Sequence, residues 1–129
     1  MKTKDTVLSK IIVIVEDDEQ LRNMLKLSFE MEGYQVLGLR DGSEIEFIRP
    51  DQIDLVITDL LMPQKDGLQI IRELKSVRPD LKMIAISGGG KIGHEGFLEA
   101  AAKLGADLAI PKPFERKDLV REVNKLLKY

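Results

Sequence analysis

Apolar residues gather in five short runs, 11–15, 34–39, 53–58, 82–87 and 107–110, separated by polar segments with helical spacing. The first and third runs read as near-continuous apolar stretches instead of alternating ones. Strands buried on both faces of a parallel sheet have that pattern. Between the first two runs, Leu21, Met24, Leu25, Ser28 and Phe29 fall on one helical face, and Gly33 follows as a C-terminal stop. The segment 41–49 predicts a short helix that opens on Asp-Gly and ends before Pro50. A helix over 67–77 carries Ile70, Ile71 and Leu74 and breaks before Arg78-Pro79. Further helices over 95–104 (Phe97, Ala100, Ala101, Leu104, then Gly105) and 115–128 (Leu119, Val123, Leu126, Leu127) complete the series.

Strand and helix therefore alternate five times, which predicts an α/β fold with parallel strands and right-handed crossovers. The expected architecture is a flavodoxin-like (βα)5 doubly wound sheet of order 2-1-3-4-5. In such sheets the functional site lies beyond the carboxyl ends of the strands, beside the switch point between the first and third. Residues 1–9 mix Lys and Asp with little apolar character and read as a tail, leaving 10–129 as one domain.

That geometric rule directs attention to the strand ends. The first strand runs into Glu16-Asp17-Asp18 and the third ends at Asp59. Carboxylates brought close raise each other's pKa unless a cation or proton neutralises them. Their hard oxygen donors suit Mg²⁺. An acid just before a helix also serves as an N-cap, and Asp18 is assigned that plainer role. The fourth strand ends at Ser87 before Gly88-Gly89-Gly90, and the fifth runs into Pro111-Lys112-Pro113-Phe114. A hydroxyl, an ammonium and a metal facing a carboxylate match the oxygens of a transferring phosphoryl group. Singly, a strand-end Ser is a turn former and a strand-end Lys is solvated. Together they place the required groups on one edge.

Composition narrows the function further. Twenty basic and twenty-two acidic residues leave a formal net charge of −2, against the clustered positive charge a nucleic-acid binder needs. The absence of cysteine excludes disulfides, thiolate metal sites and a cysteine nucleophile. No apolar run reaches the roughly 20 residues of a membrane span, and residues 1–9 lack the apolar centre of a signal peptide. A cytoplasmic location with no membrane or nucleic-acid partner is expected.

The ordered set Val15-Glu16-Asp17, Asp59-Leu60-Leu61-Met62-Pro63, Asp66-Gly67, Ser87, Gly105-Ala106 and Lys112-Pro113-Phe114 resembles a response-regulator receiver domain. The likeness covers about residues 10–128. It implies that Asp59 is the phosphoacceptor and that Mg²⁺, with Mn²⁺ as an alternative, binds Asp17, Asp59 and the backbone carbonyl of Leu61. Glu16 would act in the metal site through a water. Ser87 would bond a phosphoryl oxygen, Lys112 would pair with Asp59 or its phosphoryl group, and the Lys112–Pro113 bond would be cis. The implied partners are a histidine kinase or histidine phosphotransfer protein as donor and a downstream protein target, with no small-molecule cofactor. Output would pass by docking or by onward phosphotransfer.

The chain departs from that family at Ala109, where many receivers carry Tyr or Phe three residues before the switch lysine. Movement of the Gly88–Gly90 loop and the helix after it is the substitute route expected for the signal. Neither Leu61 nor Gly89 could orient a hydrolytic water, which implies a moderately long-lived acyl phosphate. Rival readings fit less well. Gly88-Gly89-Gly90-Lys91 lacks the Ser or Thr a nucleotide loop needs after its Lys, because Ile92 stands there. A haloacid-dehalogenase-like phosphatase needs an Asp where Leu61 stands. A flavin site would not place three acids beside the cofactor's phosphate. His94, the single histidine, reads as a surface residue. A receiver used only for docking remains as the alternative.

Overall fold

The computed structural model describes residues 9–62, 65–88 and 94–127, the last stretch without the side chains of His94 and Glu95. Nearly all of the 1–9 tail lies outside the described residues, as do Pro63, Gly89, Gly90, the Lys91–Ile92 positions of the rejected nucleotide loop and the side chain of His94.

Strands β1 (Ile11–Val15), β2 (Gln35–Leu39), β3 (Leu55–Asp59), β4 (Lys82–Ser87) and β5 (Leu108–Pro111) form one parallel sheet in the order β2-β1-β3-β4-β5. The helices are α1 (Glu19–Met31), α2 (Gly67–Val77), α3 (His94–Leu104) and α4 (Arg116–Leu127). This is the expected flavodoxin-like topology. None of the helices among the described residues is long and apolar enough to cross a membrane.

Alternation along the strands divides the core in two. Val13, Val15, Val56, Met83 and Ala85 face Ile70, Ile71 and Leu74 of α2 and Ala101 of α3. Ile12, Ile14, Leu55, Ile57, Ile84 and Ile86 face Leu25 and Phe29 of α1 and Leu119 and Val123 of α4. Because both faces of the central strands are covered, β1 is apolar at every position and β3 is apolar up to Thr58, which explains their continuous runs. Gly33 and Gly105 stop α1 and α3 with φ of 101° and 117°, a backbone conformation unfavourable for other residues.

The second crossover differs from the expected helix over 41–49. It consists of two 3₁₀ turns, Gly42–Phe47 and Pro50–Gln52. Its first turn buries only Gly42 and Ile45, while Phe47 is 81% exposed, so an α-helix there would have little apolar face to bury. Asp41 caps this turn through the Ser43 amide, and a Cβ on Gly42 would lie 2.6 Å from the Lys65 carbonyl oxygen. The tight turn therefore packs directly beside the start of α2.

Not all acids serve the carboxyl edge. Asp54 Oδ2 accepts from the Ile11 amide and Asp107 Oδ2 from the Met83 amide, fixing the starts of β1 and β4 at the opposite end. Phe29 is fully buried and meets the Tyr34 ring edge-on at 6.2 Å between centroids. Phe29→Ala is expected to lower unfolding free energy by about 3–5 kcal/mol, read from urea denaturation midpoints. A change below about 1 kcal/mol would mean that this face of the core repacks around the lost ring.

Candidate functional site

The site begins where two adjacent strands stop. Val15 of β1 is paired with Thr58 of β3, so the next residues, Glu16 and Asp59, come side by side. Carboxylate oxygens of Glu16, Asp17 and Asp59 all lie within 4.8 Å of one another. Glu16 and Asp59 are buried, whereas Asp17 is exposed. Asp18 takes the plain role expected of it: its side chain caps α1 through the Leu21 amide at 3.1 Å. Its own amide donates to Glu16 Oε2 at 3.1 Å.

Lys112 enters from the end of β5. Its amide donates to the Ser87 carbonyl at 2.8 Å, and its ammonium reaches Asp59 Oδ2 at 3.2 Å and Glu16 Oε1 at 3.0 Å. The Glu16 contact is an ion pair, and Oε1 has no well-aligned hydrogen-bond partner among the described residues. The alkyl chain of Lys112 passes so near Gly88 that a Cβ there would sit 2.6 Å from Cδ. The Lys112–Pro113 peptide is cis.

Asp59 Oδ1 accepts from the Leu61 amide at 3.2 Å, and a cleft of ≈ 230 Å³ is lined by Asp59, Leu61, Gly88 and Lys112. Ser87 is fully buried, and its Oγ has no hydrogen-bond partner among the described residues. Ala109 is partly buried against the α2/α3 side of the core.

Burial, reinforced by the neighbouring Asp59 carboxylate, pushes the Glu16 carboxyl up to about 7. Burial works against the Lys112 ammonium, but the Asp59 and Glu16 carboxylates outweigh it and raise its pKa. One ammonium facing two buried acids and an exposed third leaves excess negative charge. Hard oxygen donors, an excess of negative charge and an incompletely satisfied Glu16 Oε1 fit a hard divalent cation. The structure thus gathers Glu16, Asp17, Asp59 and Lys112 in contact range, with Leu61 and Gly88 on the cleft wall and Ser87 at the adjoining strand end.

Two contributors were not evident from sequence. Arg22 Nη1 donates to the Glu16 carbonyl at 2.8 Å, yet its position on a helix resembles any solvated arginine. Gly67 tolerates no side chain, since a Cβ would lie 2.3 Å from the Asp59 carbonyl oxygen. Its place beside Asp66 in the motif was the only signal.

A five-stranded parallel sheet with an acidic cluster at its switch point defines a receiver-type fold. The family model for the response regulator receiver domain matches residues 12–124. The chain belongs to that family, the receiver domains of two-component response regulators. It is 32% identical over 117 residues to the transcriptional regulatory protein CpxR of Klebsiella pneumoniae, covering 91% of this chain and 49% of the relative. It is 33% identical over 122 residues to the response regulator MprA of Mycobacterium ulcerans, covering 94% and 51%. The non-phosphorylated HemR receiver domain from Leptospira biflexa matches with a TM-score of 0.83 and 30% identity, covering 94% of this chain and 96% of that one. The chain spans about half the length of the curated relatives it matches.

The Glu16 environment has a consequence for stability. A carboxyl whose pKa is higher in the folded than in the unfolded chain binds its proton more tightly when folded. Its contribution is greatest below the ordinary value of 4.5 and is lost as pH rises to about 7. With chelator present, the urea midpoint of Glu16→Gln is expected to fall less between those pH values than that of the unaltered protein. Parallel pH profiles would show that Glu16 is charged without penalty.

Proposed function

We propose that this domain accepts a phosphoryl group on Asp59 from a phosphohistidine of a histidine kinase or histidine phosphotransfer protein, in a Mg²⁺-dependent reaction. The observation that carries this reading is the convergence of Glu16, Asp17 and Asp59 oxygens within 4.8 Å, with Lys112 bridging two of them. Asp17, Asp59 and the Leu61 backbone carbonyl would hold Mg²⁺ or Mn²⁺, with Glu16 acting through a water. When bound, the cation offsets the negative charge that accumulates between Asp59 and the incoming group.

The chain's own groups supply the remainder. An Asp59 carboxylate oxygen attacks phosphorus as the phosphorus–nitrogen bond to the donor imidazole breaks. The imidazole nitrogen keeps the bonding pair and takes a proton from solvent, leaving an acyl phosphate on Asp59. Lys112 turns from the free carboxylate to a phosphoryl oxygen, and the Ser87 hydroxyl donates to another. The domain is a cytoplasmic signalling element, its chemistry confined to gaining and losing its own phosphoryl group. Output passes by docking to a downstream protein or by onward phosphotransfer.

A second reading, a receiver that docks without phosphorylation, is favoured by Ala109, which cannot supply the aromatic movement of many relatives. Intact-protein mass after incubation with acetyl phosphate separates the two readings. The expected result is one phosphoryl adduct that requires Mg²⁺, is absent from Asp59→Asn and outlives the seconds timescale. A folded protein that gains no adduct under any condition supports docking alone.

A further inference from the structure

Two glycines, Gly88 just beyond β4 and another on β2, make room for cationic side chains, and the pairing of Lys112 with acids uses only the first. The other is Gly38 on β2, opposite Ile14. A Cβ on Gly38 would lie 3.3 Å from both Cγ and Cδ of Arg22, tighter than most real contacts. The Arg22 stem therefore lies against the strand at Gly38, where the missing Cβ leaves it space. From there Nη1 reaches the Glu16 carbonyl at 2.8 Å.

Glu16 is consequently held through both of its backbone groups and through its carboxylate. Its amide donates to the Leu39 carbonyl at 3.0 Å, its carbonyl accepts from Arg22, and its carboxylate meets the Asp18 amide and Lys112. Asp18 is fixed in turn as the cap of α1. Asp17, exposed between these two pinned residues, has its backbone set while its side chain stays open to solvent. Arg22 is itself anchored, because its amide donates to the Asp18 carbonyl at 2.9 Å.

We propose that Arg22 is a positioning residue for the acidic pocket: its guanidinium, routed over Gly38, locks the Glu16 peptide and so strengthens divalent-cation binding by the carboxylate cluster. This rests on the metal reading above. Arg22 is bonded to a peptide oxygen, and its influence on the cluster runs through the backbone that presents Asp17. An outer partner of this kind typically changes metal affinity by about tenfold or more.

The sign of the effect separates positioning from simple charge. A cation near three carboxylates disfavours a second cation, so removing Arg22 would tighten Mg²⁺ binding if charge alone mattered. Loss of positioning weakens it instead. The experiment is calorimetric Mg²⁺ titration of the unaltered chain, Arg22→Met, Gly38→Val and the double variant, with thermal melts in chelator and amide exchange at Asp18.

Arg22→Met is expected to weaken Mg²⁺ binding by about tenfold and to speed exchange at Asp18. Gly38→Val, which keeps the charge but crowds the path of the stem, is expected to weaken binding in the same direction, with little further loss in the double variant. Tighter or unchanged binding in Arg22→Met overturns the proposal, as does full additivity of the two changes. If the unaltered chain binds no Mg²⁺, the metal reading fails. Amide exchange at Asp18 then decides by itself whether Arg22 holds the loop.

Discussion

Backbone hydrogen bonds between β1 and β3 place Glu16 beside Asp59, and the remaining chemistry of this edge depends on that pairing. Both strands are buried on both faces, so a one-residue slip would turn the apolar residues of each face toward the wrong helices. The register is therefore held by two core layers at once. The acids have no freedom to separate and relieve their repulsion. A stable core imposes an electrostatically unfavourable edge, and the groups around that edge respond to it.

Lys112 is the principal response. It arrives from the far side of β4, tied to Ser87 by its amide and passing over Gly88, where a side chain would obstruct it. A flexible stem suits a group that must pair with bare carboxylates in one state and with a larger anion in another. The Leu61 amide donates to Asp59, which opens onto the cleft beside it. Arg22 acts one layer further out, on the peptide rather than on the charge.

Away from this edge the chain departs from its own helical spacing. The second crossover closes with 3₁₀ turns instead of a full α-helix, because Ile45 and Gly42 are all that its first turn buries. Strand order and the acidic pocket are untouched by that change, since β2 still pairs with β1 over its full length. Ala109 sits against the α2/α3 layer, on the side of the core remote from α1 and Arg22.

Local pattern was sufficient for the strands β1 and β4, for α2 and for the α/β class. Continuous apolar runs, helical spacing and the stops at Gly33 and Gly105 are short-range properties of the chain. The residues at the strand ends were also legible, because topology alone assigns them to one edge. The helical spacing over 41–49 resolves into 3₁₀ turns because the outcome depends on how little surface the neighbouring layer leaves to cover. Arg22 over Gly38, Lys112 over Gly88 and the exclusion of a side chain at Gly67 are contacts between segments remote in sequence. Only the folded chain brings them together, since no periodicity or spacing records which strand passes beneath which side chain. Residue types and their order thus determined which groups reach the carboxyl edge. Three-dimensional packing alone decided how tightly each is held there.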